Sequence, residues 1–190
     1  VVLKYIDAKL VGGSGFDYLD LIDFGAVGDG VADDTSKINQ AVVQLINSGG
    51  GTIFGRDRKF KVSSIQIPDV KKKLKVEFAG SEMPVPIFGT IGTFPEQNKK
   101  QMEFISTLQD TSKAVIQVKQ GTNYENFNFA FLSAKNLRIK TYQNPKLHGI
   151  DASHAVQLSV ENVVIDTGVY NVEAIEPTWE TQGLLTPKSN

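Results

Sequence analysis

The sequence predicts an all-β chain of short, stacked parallel strands closed near its N-terminal end by a single helix, and three observations lead there. The first is a series of short alternating or apolar stretches at 52–54, 59–62, 64–67, 74–78, 114–118, 126–131, 137–139, 156–158 and 163–165. Turn-forming residues separate them, as between strands of an all-β fold. The second is a repeat: LSAKNLRIK at 132–140 aligns with LSVENVVID at 158–166 at an offset of 26, matching Leu, Ser, Asn and Ile. A fixed period of this length marks a unit that buries its apolar face by stacking on its neighbour. The third is one amphipathic segment in which Ile38, Ala41, Val42, Leu45 and Ile46 recur at helical steps.

Taken in order, residues 1–22 open with VVLKYIDAKL and break at Gly12, Gly13, Ser14 and Gly15, which reads as a connector arm, with a plain leader strand an equally cheap alternative. Gly28, Asp29 and Gly30 form a turn, and a helix is expected over 33–46 with Asp33 or Asp34 as its N-cap. Asn47, Ser48 and three glycines, Gly49 to Gly51, end it, and a strand opens at Thr52. From 81 to 110 the pattern is interrupted by Pro84, Pro86 and Pro95, which do not fit a central strand, so this stretch is expected to be an insertion.

Strands one repeat apart in a parallel stack lie about 4.8 Å from each other. Asn136 then sits on Asn162 as an amide ladder, Leu137 on Val163 and Ile139 on Ile165 in the core. Lys135 faces Glu161 and Lys140 faces Asp166, two pairs of opposite charge. One further offset brings Leu184 and Leu185 to the same positions, but Pro187 breaks the pattern there. The stack is therefore expected to be incomplete at its C-terminal end.

The stretch DFGAVGDGVADDTSKINQAVVQLINSGGGTIF at 23–54 resembles the N-terminal signature of the pectate-lyase-like superfamily, which includes bacteriophage tailspikes and appendages. Asp23 to Ala26, Gly28 to Gly30, Asp33 to Thr35 and Gly49 to Thr52 carry the match. Ala32 and the segment GRDRKFKV at 55–62 depart from it. The resemblance implies a right-handed single-stranded parallel β-helix over 23–190 with one N-terminal capping α-helix. The helix would cover the apolar disc that a solenoid exposes at its end. It also implies a virion location in the phage tail, three copies side by side, and contact with other virion proteins through the arm.

Composition narrows the functions. A net charge of -1 over 190 residues gives no basic surplus for nucleic acid or an anionic membrane, and no apolar run reaches a membrane-spanning length. With no cysteine there are no disulfides or thiolate metal sites, and neither a metal nor a cofactor is expected. Asp29, Asp33 and Asp34 lack the closing glutamate of a calcium loop and read as turn and cap residues. Arg138-Ile139-Lys140 and His148-Gly149 stand in the reverse of the order found in polygalacturonases.

Cleaving a glycosidic bond takes two carboxylates about 5–9.5 Å apart, here on neighbouring stacked strands. Asp151, Asp166, Glu173 and Glu176 are the candidates. Lys71, Lys72 and Lys73 could meet an anionic glycan or teichoic acid, though a basic run is commonly a solvated face. Trp179 could stack on a sugar, though a lone Trp more often packs. The expected function is that of a phage appendage whose chain binds a bacterial surface polysaccharide, with cleavage on passes outside this chain. The alternatives are a secreted or cellular polysaccharide lyase or hydrolase of the same fold, with an extracellular location, and a non-catalytic virion spacer.

Overall fold

A computed structural model of the chain describes residues 18–81, 102–122, 128–141, 144 and 146–166. Within them lie one helix, α1 (Thr35–Asn47), and eleven strands. These are β1 (Tyr18–Asp20), β2 (Asp29–Asp33), β3 (Gly51–Phe54), β4 (Lys59–Val62), β5 (Ile65–Ile67), β6 (Leu74–Ala79), β7 (Met102–Ser106), β8 (Ala114–Val118), β9 (Asn128–Lys140), β10 (His148–Asp151) and β11 (Ala155–Asp166). Every pairing among them is parallel. The fold is thus mostly parallel β-sheet with one helix, and the expected all-β parallel character holds.

The pairings sort into three ladders. The first runs β1, β3, β6 and the front half of β9. The second runs β2, β4, β7 and the rear half of β9, while β11 lies along both halves of β9. The third is a separate sheet of β5, β8 and β10. The chain visits the ladders in the same order on successive passes: β3, β4, β5, then β6, β7, β8, then β9 and β10. Parallel neighbours demand this, because the chain must travel away and return before it can pair in the same direction.

The bend between the first two ladders has a local cause. Asn136 and Asn162 have φ of 51° and 53°, the left-handed region that asparagine tolerates better than most residues. Asn162 Nδ2 donates to Asn136 Oδ1 at 3.2 Å, and Asn136 Nδ2 reaches the Gly80 carbonyl at 3.4 Å. The expected ladder is present, and it extends down to Gly80. A Cβ on Gly80 would lie 2.2 Å from the Asn136 carbonyl oxygen, so the corner below the asparagines has no room for a side chain.

The core fills the space between the ladders. Phe104 meets Phe60 at a ring-centroid distance of 6.1 Å and Phe78 at 5.9 Å, the latter edge-on, so the first and second ladders interlock through aromatic rings. Ile65, Ile67, Ile116 and Val118 line the third ladder, all buried. Against one end lies α1, whose Ile38, Ala41, Val42 and Leu45 are fully buried and which packs on β5, β3 and β6. Burying each of the larger aliphatic side chains contributes about 1.5–3 kcal/mol. Gly49, Gly50 and Gly51 all have positive φ, and a Cβ on Gly50 would stand 2.5 Å from the Lys75 carbonyl. The triple glycine thus lets the chain leave α1 and enter β3 hard against β6.

Several expectations need correction. The helix starts at Thr35, and Asp34 at its N-cap makes no side-chain cap bond. Its buried carboxylate turns back to accept the N–H groups of Val27 at 2.7 Å and Gly28 at 3.0 Å, while Asp33 accepts the Thr35 N–H at 2.9 Å. Two rigid turn donors at 27–28 have no other partner, and they outcompete the helix end for Asp34. Asp29 and Gly30, expected in the turn, and Asp33, expected at the start of the helix, fall in strand β2. Tyr18–Asp20, inside the expected arm, pair with β3 as β1, in line with the leader-strand alternative. Met102–Ser106, inside the expected insertion, form β7, a central strand between β4 and β9. All three prolines of that insertion and the Gly-rich part of the arm lie outside the described residues, as do Leu184, Leu185 and Pro187.

Candidate functional site

On the third ladder, three polar residues share one register column: Gln66 opposite Gln117, and Gln117 opposite Asp151. Buried apolar residues flank them, Ile65 and Ile67 on β5 and Ile116 and Val118 on β8, so alternation turns the glutamines toward solvent, where both are half-buried. Gln66 Nε2 donates to Ser64 Oγ and, at 3.4 Å, to Gln117 Oε1. Gln117 Nε2 in turn approaches Asp151 Oδ2 at 3.5 Å. The amides therefore point along the column toward the carboxylate. Asn39 of α1 anchors the near end, accepting the Gln66 N–H at 2.8 Å and donating to the Ser64 carbonyl at 3.2 Å.

Asp151 Oδ1 accepts the Ser153 N–H at 3.0 Å. That bond holds its carboxyl below the usual aspartate range against the opposing effect of burial, with help from the Ser153 hydroxyl, the Gln117 amide and His154. A carboxyl kept ionised in this way cannot serve as a general acid near neutral pH. What the column can do is exchange hydrogen bonds with a polyhydroxylated surface.

The second ladder carries charge columns. In one, Asp29, Lys59, Glu103 and Arg138 follow each other in register. In the other, Asp33, Lys61, Ile105, Lys140 and Asp166 do. Glu103 is buried, and Lys140 Nζ lies 3.0 Å from its Oε1, an ion pair whose alignment gives that oxygen no hydrogen bond. Lys140 and Asp166 stand in register as expected, and the Lys140 ammonium reaches Glu103 on the neighbouring strand, a buried carboxylate that would be costly to leave unpaired. Asp166 is itself buried and takes part in other interactions. Lys135 does pair with Glu161, at 3.0 Å.

On the first ladder, Glu77 is bracketed by Thr52 Oγ1 and Ser133 Oγ, each at 2.9 Å, with Lys75 Nζ at 2.7 Å. Burial pushes its carboxyl up, but the lysine and the two hydroxyls outweigh burial and hold it below its ordinary value. In the lysine run, Lys71 donates to Asp69 and to Thr122, which fastens two loops together, whereas Lys72 and Lys73 are exposed. Lys71 is thus engaged at one end while its side chain, like those of Lys72 and Lys73, stays exposed. Glu173, Glu176 and Trp179 lie outside the described residues.

The glutamine column was missed from the sequence, although a signal existed in Ile65-Gln66-Ile67, Ile116-Gln117-Val118 and Ile150-Asp151, three polar residues each following an isoleucine. Asp29 accepts the Val31 and Ala32 N–H groups at 2.8 Å each, in keeping with its reading as a turn residue. No helix among the described residues is long and apolar enough to cross a membrane.

No protein-family profile matches the chain. Over 46 residues it is 44% identical to the mannuronan C5-epimerases AlgE5 and AlgE2 of Azotobacter vinelandii, a match covering 24% of this chain and 5% of each relative. The matched segment is thus a small fraction of the curated relatives' length. Among solved structures, ORF18 of Geobacillus virus E2 superposes with a TM-score of 0.46 at 19% identity, over 78% of this chain and 24% of that one, a likeness too loose to assign a fold.

Proposed function

We propose that this chain is the N-terminal part of a right-handed parallel β-helix of the pectate-lyase-like kind, in a phage appendage that engages a bacterial surface polysaccharide. The observation that carries the reading is the fixed succession of three parallel ladders, bent at an asparagine ladder and covered at one end by α1. Right-handedness follows from the general preference of parallel crossovers. The 46-residue identity to enzymes named for mannuronan supports a carbohydrate-related role. That same identity favours a second reading, a polysaccharide-modifying enzyme working outside a virion.

Three chains side by side, and attachment to other virion proteins through the N-terminal arm at 1–22, belong to the same proposal. The described strands contribute contact with the glycan rather than cleavage. Asp151 has the Gln117 amide, Ser153 and His154 for neighbours, and Glu103 and Glu161 are each held by a lysine. Native gels cast with purified bacterial surface polysaccharides test this reading, with released reducing ends assayed in parallel. Retardation by at least one polysaccharide without released ends is expected. Migration unchanged by every polysaccharide would remove the glycan role, and release that disappears in Asp151→Asn would move catalysis into this chain.

A further inference from the structure

We infer that the third-ladder column of Gln66, Gln117 and Asp151 selects uncharged, hydroxyl-rich saccharides over polyanionic ones. The inference rests on the glycan-contact reading above and names the substrate class for it. It follows from counting hydrogen-bonding capacity. A glutamine amide has two donors and two acceptor sites, and an ionised carboxylate is an acceptor only. Both Gln66 donors are spent, one on Ser64 Oγ and one on Gln117 Oε1, so its open capacity is the acceptor Oε1. Gln117 turns one donor to Asp151, keeping one donor and one acceptor site. Asp151 takes the Ser153 N–H and keeps lone pairs on both oxygens.

What remains open along the column is therefore mostly acceptor. Sugar hydroxyls can donate to it. Carboxylate or phosphate groups cannot, and they also meet the negative charge of Asp151 at the column's end. The column's spacing adds to the match, because stacked strands set the three residues about 4.8 Å apart, close to the length of one pyranose unit. Of the cations nearest in sequence, Lys113 is paired with Asp110 at 3.3 Å, Lys119 is exposed just past the end of β8, and His154 stands beside Asp151 and faces its carboxylate.

The test is nitrogen-15 NMR of the whole 190-residue chain, following the side-chain amides of Gln66 and Gln117. Four probes are titrated: a neutral glucan oligosaccharide, an N-acetylglucosamine oligomer, an oligogalacturonate and a poly(glycerol phosphate). At least one neutral probe is expected to shift both amides with an affinity fivefold or more above either polyanion. Gln117→Ala should weaken that binding about tenfold with the backbone spectrum otherwise kept, Asp151→Asn should narrow the preference at least threefold, and Lys119→Ala should leave it unchanged. Tighter binding of a polyanion at these amides overturns the substrate class and leaves the glycan reading intact. Binding detected on gels without any shift of the two amides overturns the column as the site. No binding of any polysaccharide by either method overturns both.

Discussion

The two ends of the described stack are built from similar residues and meet opposite fates. At the N-terminal end, α1 lays Ile38, Ala41, Val42 and Leu45 over the ladders, and all four are fully buried. At the other end, β11 continues the apolar columns of β9 in register, with Leu158 over Leu132, Val160 over Ala134 and Ile165 over Ile139. The lower members are buried to 1% or less, yet Leu158, Val160 and Ile165 remain 45%, 52% and 50% exposed. The difference teaches that burial in this fold belongs to the place in the stack and not to the residue, since an inward side chain is covered only when something lies on top of it.

The two ends differ most sharply at their isoleucines. Ile139→Asp places an unpaired charge in the core and is expected to cost about 4 kcal/mol or more, enough to unfold the neighbouring strands, while Ile165→Asp in the same column should cost under about 1 kcal/mol. Urea denaturation of the two variants decides it, and equal losses would mean that β11 is covered in solution.

The ion pairs give a smaller effect in the same direction. Lys140→Ala strips the lysine from buried Glu103 and should cost about 1–3 kcal/mol. Lys135→Ala removes a pair whose members are both largely exposed and should cost under about 0.5 kcal/mol. Matching midpoint shifts in thermal melts would contradict the placement of Lys140.

Acid should act on the inner carboxylate. The Glu77 carboxyl is depressed in the folded state, so its stabilisation is fully present above the ordinary glutamate pKa of about 4.3 and is lost as pH falls through the lowered folded value. Glu77→Gln should therefore be less stable than the parent by about 1–2 kcal/mol at pH 7, with the gap closing below about pH 4. A gap that persists unchanged to pH 3 would show that ionisation is irrelevant there.

The smallest effect concerns Thr141, fully buried with an Oγ1 that has no hydrogen-bond partner. Thr141→Val keeps the shape and removes the stranded hydroxyl, so a change between zero and about 1 kcal/mol of added stability is expected in the same melts. A clear loss would reveal a partner for the hydroxyl, such as a bound water.

By itself the sequence determined the helix, most of the strands and the pairing of β11 on β9. The tight corner at Asn136 and Asn162 keeps the same residue count on both passes, so a constant offset of 26 sets nine register pairs at once, and matching Leu, Ser, Asn and Ile betray it. Tertiary structure alone decided the rest. Gln66 pairs with Gln117 across 51 positions and Gln117 with Asp151 across 34, because the connections leading to the third ladder differ in length from pass to pass. No fixed period can then bring the column together in the sequence. The same irregular spacing hid β7, whose place between β4 and β9 is set by Phe104 packing on Phe60 and Phe78. The partner of Lys140 was equally illegible, because register fixes which backbones are opposite, while a long side chain goes to whichever buried charge it can reach.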